Sequence, residues 1–274
     1  MRVTLVQLNS IDDVQFNLSK MLELMQIHLK RFDSSLDKTR MFVFPENSLY
    51  FRLIEGSQIQ ALNLHDTSFK KLEKFASLNN VFIHLTTAIS EDGVTYNASV
   101  LIDPSGFSKI VYRKIHLFDI KLEGQKPVRE SDFFSNGSEV TDFEIDGVKF
   151  GSSICYDIRF AELYLHHAKK RVDVILIPAA FLVKTGQAHW EVLNRARAIE
   201  SQAYVLSPGQ VGNHQSKDGQ YSRQTFGHSI AINPWGEVLH CQKIGVGCFD
   251  VVIDKDQIDF VRNQIPMSTH RRLL

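Results

Sequence analysis

Cysteine is scarce in this chain of 274 residues: Cys155, Cys241 and Cys248 are an odd set, and no two are spaced as Cys-x-x-Cys. That spacing argues against a disulfide framework, a structural zinc or a dithiol redox centre, and neither metal nor cofactor is expected. Long apolar runs are also missing. A membrane-crossing helix needs roughly 18 consecutive apolar residues, so none is expected here. Nor does one sign of charge prevail. Lys plus Arg and Asp plus Glu each number 31, which removes the net field that would draw nucleic acid or an anionic membrane surface. A small or neutral ligand is expected instead. The N-terminus enters an alternating apolar run without a basic leader, so a cytoplasmic protein is expected. No internal repeat and no Pro-, Gly- or Ser-rich linker divides the chain, and residues 1–274 are read as a single domain.

What is present is an ordinary globular balance, 43% hydrophobic and 23% charged. Arg2 to Leu8 reads as a strand and Val14 to Leu29 as a helix with Val14, Leu18, Met21, Leu22, Met25 and Leu29 on one face. Met41 to Phe44 is an apolar strand that Pro45 ends, since proline has no N–H for a sheet ladder. Phe69 to Leu78 reads as a helix and Val81 to Thr87 as a strand. Asn97 to Ile102 and Ser108 to Arg113 form a hairpin across the turn Asp103 to Gly106. Asp119 to Gly137, with Gly124 and Pro127, has no period and reads as a long loop of the kind that often carries function.

Beyond it, Val148 to Ile154 is a strand, Phe160 to Ala168 a helix and Val172 to Pro178 a very apolar strand. Ala188 to Gln202 is a helix with Val192, Leu193, Ala196 and Ile199 on one side. Ala203 to Ser207, His228 to Asn233, Glu237 to Cys241 and Cys248 to Ile253 read as later strands, and a short helix starts near Ile258. Strands such as Met41 to Phe44 and Val172 to Ile177 are apolar at nearly every position, so both of their faces are covered. Alternating α and β elements around such strands imply layered α/β packing.

Glu46, Lys114 and Cys155 each follow directly on an apolar strand-like run, the place where α/β folds gather active sites. Singly, each has a plain structural explanation: a solvated charge, or a small buried thiol. Together they suffice for acyl transfer, with a thiolate to attack an amide carbon, a carboxylate to move protons and an ammonium to steady the oxyanion. A lysine beside the thiol is also expected to lower its pKa.

Three segments then carry a resemblance: Phe44-Pro45-Glu46, the run from Tyr112 to Asp119, and Cys155-Tyr156-Asp157-Ile158-Arg159-Phe160. In order and spacing they resemble the signature segments of the nitrilase (carbon-nitrogen hydrolase) superfamily, and further matches extend to His270-Arg271-Arg272. The resemblance implies a four-layer α-β-β-α sandwich, a cofactor-free amidase acting on a small-molecule amide, and a homodimer or higher homo-oligomer. Residue by residue, it implies Glu46 as general base, Lys114 as oxyanion stabiliser, Cys155 as nucleophile and Glu130 as a second glutamate positioning lysine and substrate. Tyr156 would lend its backbone N–H to the oxyanion, and Tyr50, Phe118, Arg159, Phe181, His189 and Trp190 would line the substrate pocket.

The segment Ala188 to Gln202, Phe226 to Ser229 and the His270-Arg271-Arg272 ending look most like the Nit branch, with its omega-amidases and deaminated glutathione amidase. An omega-amide of a 2-oxo acid, as the free amide or in peptide form, is therefore the expected substrate. A carboxylate on it calls for an arginine, with Arg159, Arg195 and Arg197 as candidates. Departures from the family pattern are Ala161 and Gln187, each in place of a frequent proline, and a long polar loop from Gln215 to Gln224. The alternatives are a true nitrilase, a carbamoyl hydrolase, a Cys–His mechanism through His116 or His189, and a catalytically silent binding module. Cys241 and Cys248 read as packing, and His166-His167 as an exposed helix pair.

Overall fold

A computed structural model describes residues 1–31, 40–54, 56–121 and 127–273. The first half runs β1 (Arg2–Gln7), α1 (Val14–Leu29), β2 (Met41–Val43), α2 (Thr67–Asn79), β3 (Phe82–Glu91), β4 (Val94–Ile102) and β5 (Ser108–Arg113). A two-stranded ribbon follows, β6 (Asp119–Ile120) with β7 (Val128–Arg129), then β8 (Asp142–Ile145) and β9 (Val148–Ser152). The second half runs α3 (Ala161–Lys169), β10 (Val174–Leu176), α4 (Val183–Ser201), β11 (Tyr204–Ser207), β12 (Val211–Gln215) and β13 (Ser222–Phe226). It closes with β14 (Ser229–Ile232), β15 (Val238–Gln242), β16 (Gly247–Val252), α5 (Lys255–Gln264) and α6 (Met267–His270).

Two six-stranded sheets result, ordered β16-β1-β2-β3-β4-β5 and β15-β14-β11-β10-β9-β8. In each, the central strands pair in parallel and the outer ones antiparallel. Three buried apolar clusters explain the stacking. Leu18, Met21, Phe69 and Leu72 of α1 and α2 meet Phe42, Ile83 and Val100 of the first sheet. Val3, Leu5, Val43, Phe150, Leu176 and Leu206 fill the space between the sheets. Leu163, Tyr164, Trp190 and Ala198 of α3 and α4 cover Ile175, Val205 and Ile230 of the second sheet. The architecture is therefore the four-layer α-β-β-α sandwich, and the short central strands are apolar throughout because both of their faces are covered.

Local chemistry sets the element ends. Asp13 caps α1 by accepting from the N–H groups of Gln15 and Phe16, and Asp66 starts α2 two residues before Ser68, whose N–H it accepts. Phe44 lies past the end of β2, although its N–H still bonds the His84 carbonyl at 2.8 Å.

Several expectations need correction. Helix α4 begins at Val183, and its buried face is Trp190, Asn194, Arg197, Ala198 and Ser201, whereas Val192 and Ile199 are 61% and 46% exposed. Apolar periodicity pointed to the wrong face because buried polar groups on this helix have partners: Asn194 bonds Trp190 and Ser207, and Arg197 bonds the Ile158 carbonyl. The supposed loop from Asp119 to Gly137 contains the β6–β7 ribbon, while Gly124 lies outside the described residues. Most of the supposed loop from Gln215 to Gln224 belongs to the β12–β13 hairpin, whose exposed polar residues hide the strand pattern.

Among the buried histidines, burial holds three pKa values down, His84 to about 3, His167 to about 4 and His214 to about 4, so of the expected exposed pair only His166 faces solvent. His214 is fixed between the Ser10 carbonyl and the Thr225 hydroxyl, both at 2.7 Å. In the unfolded chain these rings take up protons below about pH 6.5. The folded pKa is depressed, so the stability tied to the neutral rings is present above about pH 6.5 and is lost as pH falls through 4. Thermal melts between pH 7 and pH 4 are expected to show a steep fall in Tm, and replacing His84 by a residue that does not titrate should flatten it.

Candidate active site

The site is built where the chain leaves β2, β5 and β9 and enters loops. Glu46 follows Pro45 and is 4% exposed. Its Oε1 accepts from Lys114 Nζ at 2.8 Å and from Asn97 Nδ2 at 2.9 Å, and its Oε2 accepts from the Ala180 N–H at 2.9 Å. Gln210 holds the Glu46 carbonyl at 2.9 Å, so main chain and carboxylate are both fixed.

Lys114, 2% exposed, also donates to Glu130 Oε2 at 2.8 Å and Oε1 at 3.1 Å. Glu130 accepts in turn from Asn97 Nδ2 at 2.8 Å and from the Phe118 N–H at 2.6 Å. Burial by itself would lower the lysine's pKa, but Glu130 and Glu46 outweigh it and hold the ammonium well above its ordinary value. For Glu46 burial acts upward, and the Lys114 charge and hydrogen bonds turn the net direction downward, so the carboxylate is ionised at neutral pH.

Cys155 opens a single 3₁₀ turn, Cys155–Arg159, with φ of +48°. Left-handed backbone is rare for a residue with a side chain, and here it turns the thiol off the strand end. The Cys155 N–H bonds the Pro178 carbonyl at 2.9 Å, and the thiol lies beside the Glu46 carboxylate. The thiol pKa corrects an expectation. Burial and the Glu46 charge raise it well above the ordinary value and outweigh Lys114, so the resting group is a thiol that needs a base at the moment of attack. The Glu46 carboxylate beside it is placed to accept its proton. At the start of the turn the Tyr156 N–H is one of the donors a helical N-terminus leaves unpaired, so it is available to an oxyanion.

Asp157 fastens this turn to the lysine loop. Its fully buried carboxylate accepts from the Ile154 N–H at 2.9 Å, the Tyr112 hydroxyl at 2.7 Å, and the His116 N–H and Nδ1–H at 3.0 and 2.7 Å. Asp157→Ala would leave these buried donors unpaired, at about 1–3 kcal/mol each where water cannot enter. A loss of at least about 3 kcal/mol in urea denaturation is expected, together with a fall in turnover.

These groups open into a cavity of about 820 Å³ including its mouth, walled by Tyr50, Phe51, Phe118, Phe133, Tyr156 and Phe181. Four arginines, Arg52, Arg129, Arg159 and Arg223, reach its lining, so its charge suits a small anionic molecule. Among the described residues no group of three or more His, Cys, Asp or Glu side chains is placed to hold a metal ion.

Known proteins resemble this chain along almost its whole length. Residues 2–248 match the family model described as carbon-nitrogen hydrolase. The chain belongs to that family. This carbon-nitrogen hydrolase is 32% identical over 288 residues to a deaminated glutathione amidase of Dictyostelium discoideum, covering 99% of this chain and 94% of the relative. It is 40% identical over 182 residues to the omega-amidase NIT2 of Danio rerio, 66% of this chain and 64% of the relative. Among solved structures it superposes on the Caenorhabditis elegans NitFhit protein with a TM-score of 0.86 at 30% identity, over 99% of this chain and 65% of that one. Saccharomyces cerevisiae Nit3, a member of the nitrilase superfamily, gives 0.82 at 26% identity, over 100% and 97% of the two chains.

Within this carbon-nitrogen hydrolase, Glu46, Lys114, Glu130 and Cys155 converge as the sequence led one to expect, and Tyr50, Phe118, Tyr156, Arg159 and Phe181 line the cavity. His189 and Trp190 do not. His189 is exposed, with Nδ1 3.2 Å from an Arg159 nitrogen, and Trp190 is buried behind Phe181, its ring centroid 4.7 Å away and its Nε1 donating to the His228 carbonyl. Arg195 bonds the Gly236 carbonyl, and Arg197 bonds Glu200 and the Ile158 carbonyl, so neither enters the cavity. Gln187 lies in a surface depression along α4. His116 serves Asp157, which leaves it no contact with the thiol.

Sequence reasoning missed Asn97, Asp157, the Ala180 N–H and Arg223. Asn97 left a faint signal, since asparagine is depleted from strands. Asp157 lay inside a recognised segment without an assigned part, and Arg223 was hidden in the misread hairpin.

Proposed function

We propose that this chain hydrolyses a small carboxamide, the omega-amide of a 2-oxo acid or deaminated glutathione, through a thioester on Cys155. The observation that carries the reading is the closed buried network that sets the Glu46 carboxylate beside the Cys155 thiol and in a 2.8 Å bond with the Lys114 ammonium. Glu46 takes the thiol proton as sulfur bonds to the amide carbon, and the Lys114 ammonium and Tyr156 N–H receive the oxyanion. Collapse breaks the carbon–nitrogen bond, and the proton on Glu46 leaves with the nitrogen as ammonia or an amine. Glu46 then takes a proton from water as it attacks the thioester, and returns it to sulfur as the acid departs. Glu130 and Asn97 hold the lysine and the base in place, and Arg159 takes a substrate carboxylate.

Both ends of the pH profile follow. Attack needs ionised Glu46, held below its ordinary range, so kcat/KM should stay level down to about pH 5. With the thiol and the ammonium both pushed well above their ordinary values, the plateau should extend to about pH 9. The direct test is product release from 2-oxoglutaramate, deaminated glutathione, short aliphatic amides and simple nitriles, followed as ammonia or freed amine. Turnover of the oxo-acid amides supports the reading, and turnover of nitriles alone would replace it by a nitrilase.

A homo-oligomer is part of the proposal, supported by the exposed Val192 and Ile199 on α4 and by Trp235, 48% exposed, in the turn packed against that helix. Light scattering should report a mass of at least two chains. The single-domain reading is supported by one pair of sheets drawing strands from both ends of the chain, and the cytoplasmic reading by three unpaired thiols.

A further inference from the structure

The hairpin of β12 and β13 carries a charge that the reaction does not use. It is firmly seated: Val211 N–H bonds the Leu8 carbonyl at 2.7 Å, Phe226 N–H bonds the Phe181 carbonyl at 2.9 Å, and buried His214 ties it to Ser10. From β13, Arg223 projects into the cavity lining, with its guanidinium carbon 5.4 Å from the centroid of the Phe51 ring.

No carboxylate, carbonyl or hydroxyl among the described residues accepts a hydrogen bond from this guanidinium, although the side chain is half-buried in the cavity wall. That desolvation lowers its pKa, and the charges acting against the shift are Glu46, Cys155 and Glu130 across the cavity. A partly desolvated cation with unused donors facing a cavity is the arrangement that a bound anion would complete.

The other arginines differ. Arg129 pairs with Asp132 at 3.3 Å, and Arg52 bonds the Ser57 carbonyl at 3.4 Å with its guanidinium 3.7 Å over Phe133. Arg159 stands on the cysteine turn, 5.4 Å from the Phe181 ring and 5.7 Å from the Tyr156 ring. Arg159 and Arg223 therefore reach the cavity from separate elements of the fold, and their planar forks suit carboxylates.

We propose that Arg223 forms a second anion subsite, so that the preferred substrate is an amide bearing two carboxylates, one held by Arg159 and the other by Arg223. This rests on the amidase reading and sharpens it. A primary omega-amide of a 2-oxo acid carries one carboxylate, whereas an amide whose amine half is an amino acid or peptide carries two. The second kind is the better substrate.

The test compares kcat/KM for a 2-oxo omega-amide as the primary amide and as its N-carboxymethyl derivative, in the wild type, R223Q and R223K. The wild type should favour the dicarboxylate. R223Q should shrink that preference roughly 10- to 100-fold, mainly through KM, the scale of a lost charge-assisted contact, and R223K should recover part of it. An unchanged preference in R223Q overturns the proposal. A second measurement needs no turnover: alkylation of Cys155 by iodoacetamide, with glutarate or pentanoate as protectant, in the wild type and then in R223Q. Glutarate should protect at lower concentration, and equal protection overturns the subsite. Protection by glutarate that R223Q weakens, with no amide turned over, would keep the subsite and reject the amidase reading. Amide turnover with preference and protection both indifferent to R223Q would do the reverse.

Discussion

Cys155→Ala is expected to lower kcat on the order of 10⁶-fold, the scale reached when the nucleophile of a hydrolase is removed. Cys155→Ser should be nearly as inactive. Glu46 is held below the ordinary carboxylate range, which leaves it a weak base for a hydroxyl far less acidic than a thiol. The other thiols supply the control. Cys241 and Cys248 are half-buried on later strands, and burial pushes Cys248 up to about 12, so neither presents a reactive thiolate at neutral pH. Cys241→Ala and Cys248→Ala should therefore retain turnover. Activity surviving in Cys155→Ala while falling in one of these would relocate the chemistry.

Lys114→Ala should affect rate and stability together. Loss of an oxyanion donor lowers kcat by about 100- to 1,000-fold, with KM changed far less, because the contact forms fully only in the transition state. The same change leaves Glu46 and Glu130 buried beside each other without their shared cation. Breaking a buried ion pair from one side costs about 3–5 kcal/mol unless the remaining charge is neutralised. One of the two carboxyl groups is expected to take up a proton, which raises the acid limb of any residual activity towards neutral pH. Lys114→Arg should not rescue the rate, since a planar fork cannot donate to Glu46, Glu130 and an oxyanion from a single point. Stopped-assay kinetics and urea denaturation on the same samples separate the two effects. A variant that loses stability but keeps kcat would make Lys114 structural.

Much of this was legible from the chain. Apolar runs at Met41–Val43 and Val174–Leu176 marked doubly covered strands, because a central parallel strand has no solvent face to record. Pro45 fixed the end of one run and so placed Glu46 in a loop. Three recognisable segments then named the lysine and the cysteine. What stayed hidden depended on partners distant in sequence. Helix α4 turns polar Asn194 and Arg197 inward because Ser207 and the Ile158 carbonyl wait there, and periodicity cannot register such compensation. Trp190 sounded like a pocket aromatic but supports Phe181 from behind. The direction of the thiol pKa was also missed, since it follows from full burial beside Glu46 and not from Lys114 alone.

The most direct measurement is the intact mass of the protein after rapid acid quench, mixed with an omega-amide of a 2-oxo acid. The account predicts an adduct with the mass of the acyl group, mapped to the peptide holding Cys155, formed with release of one nitrogen product per site and absent in Cys155→Ala. Steady turnover without such an adduct in the wild type, or persisting in Cys155→Ala, would contradict it.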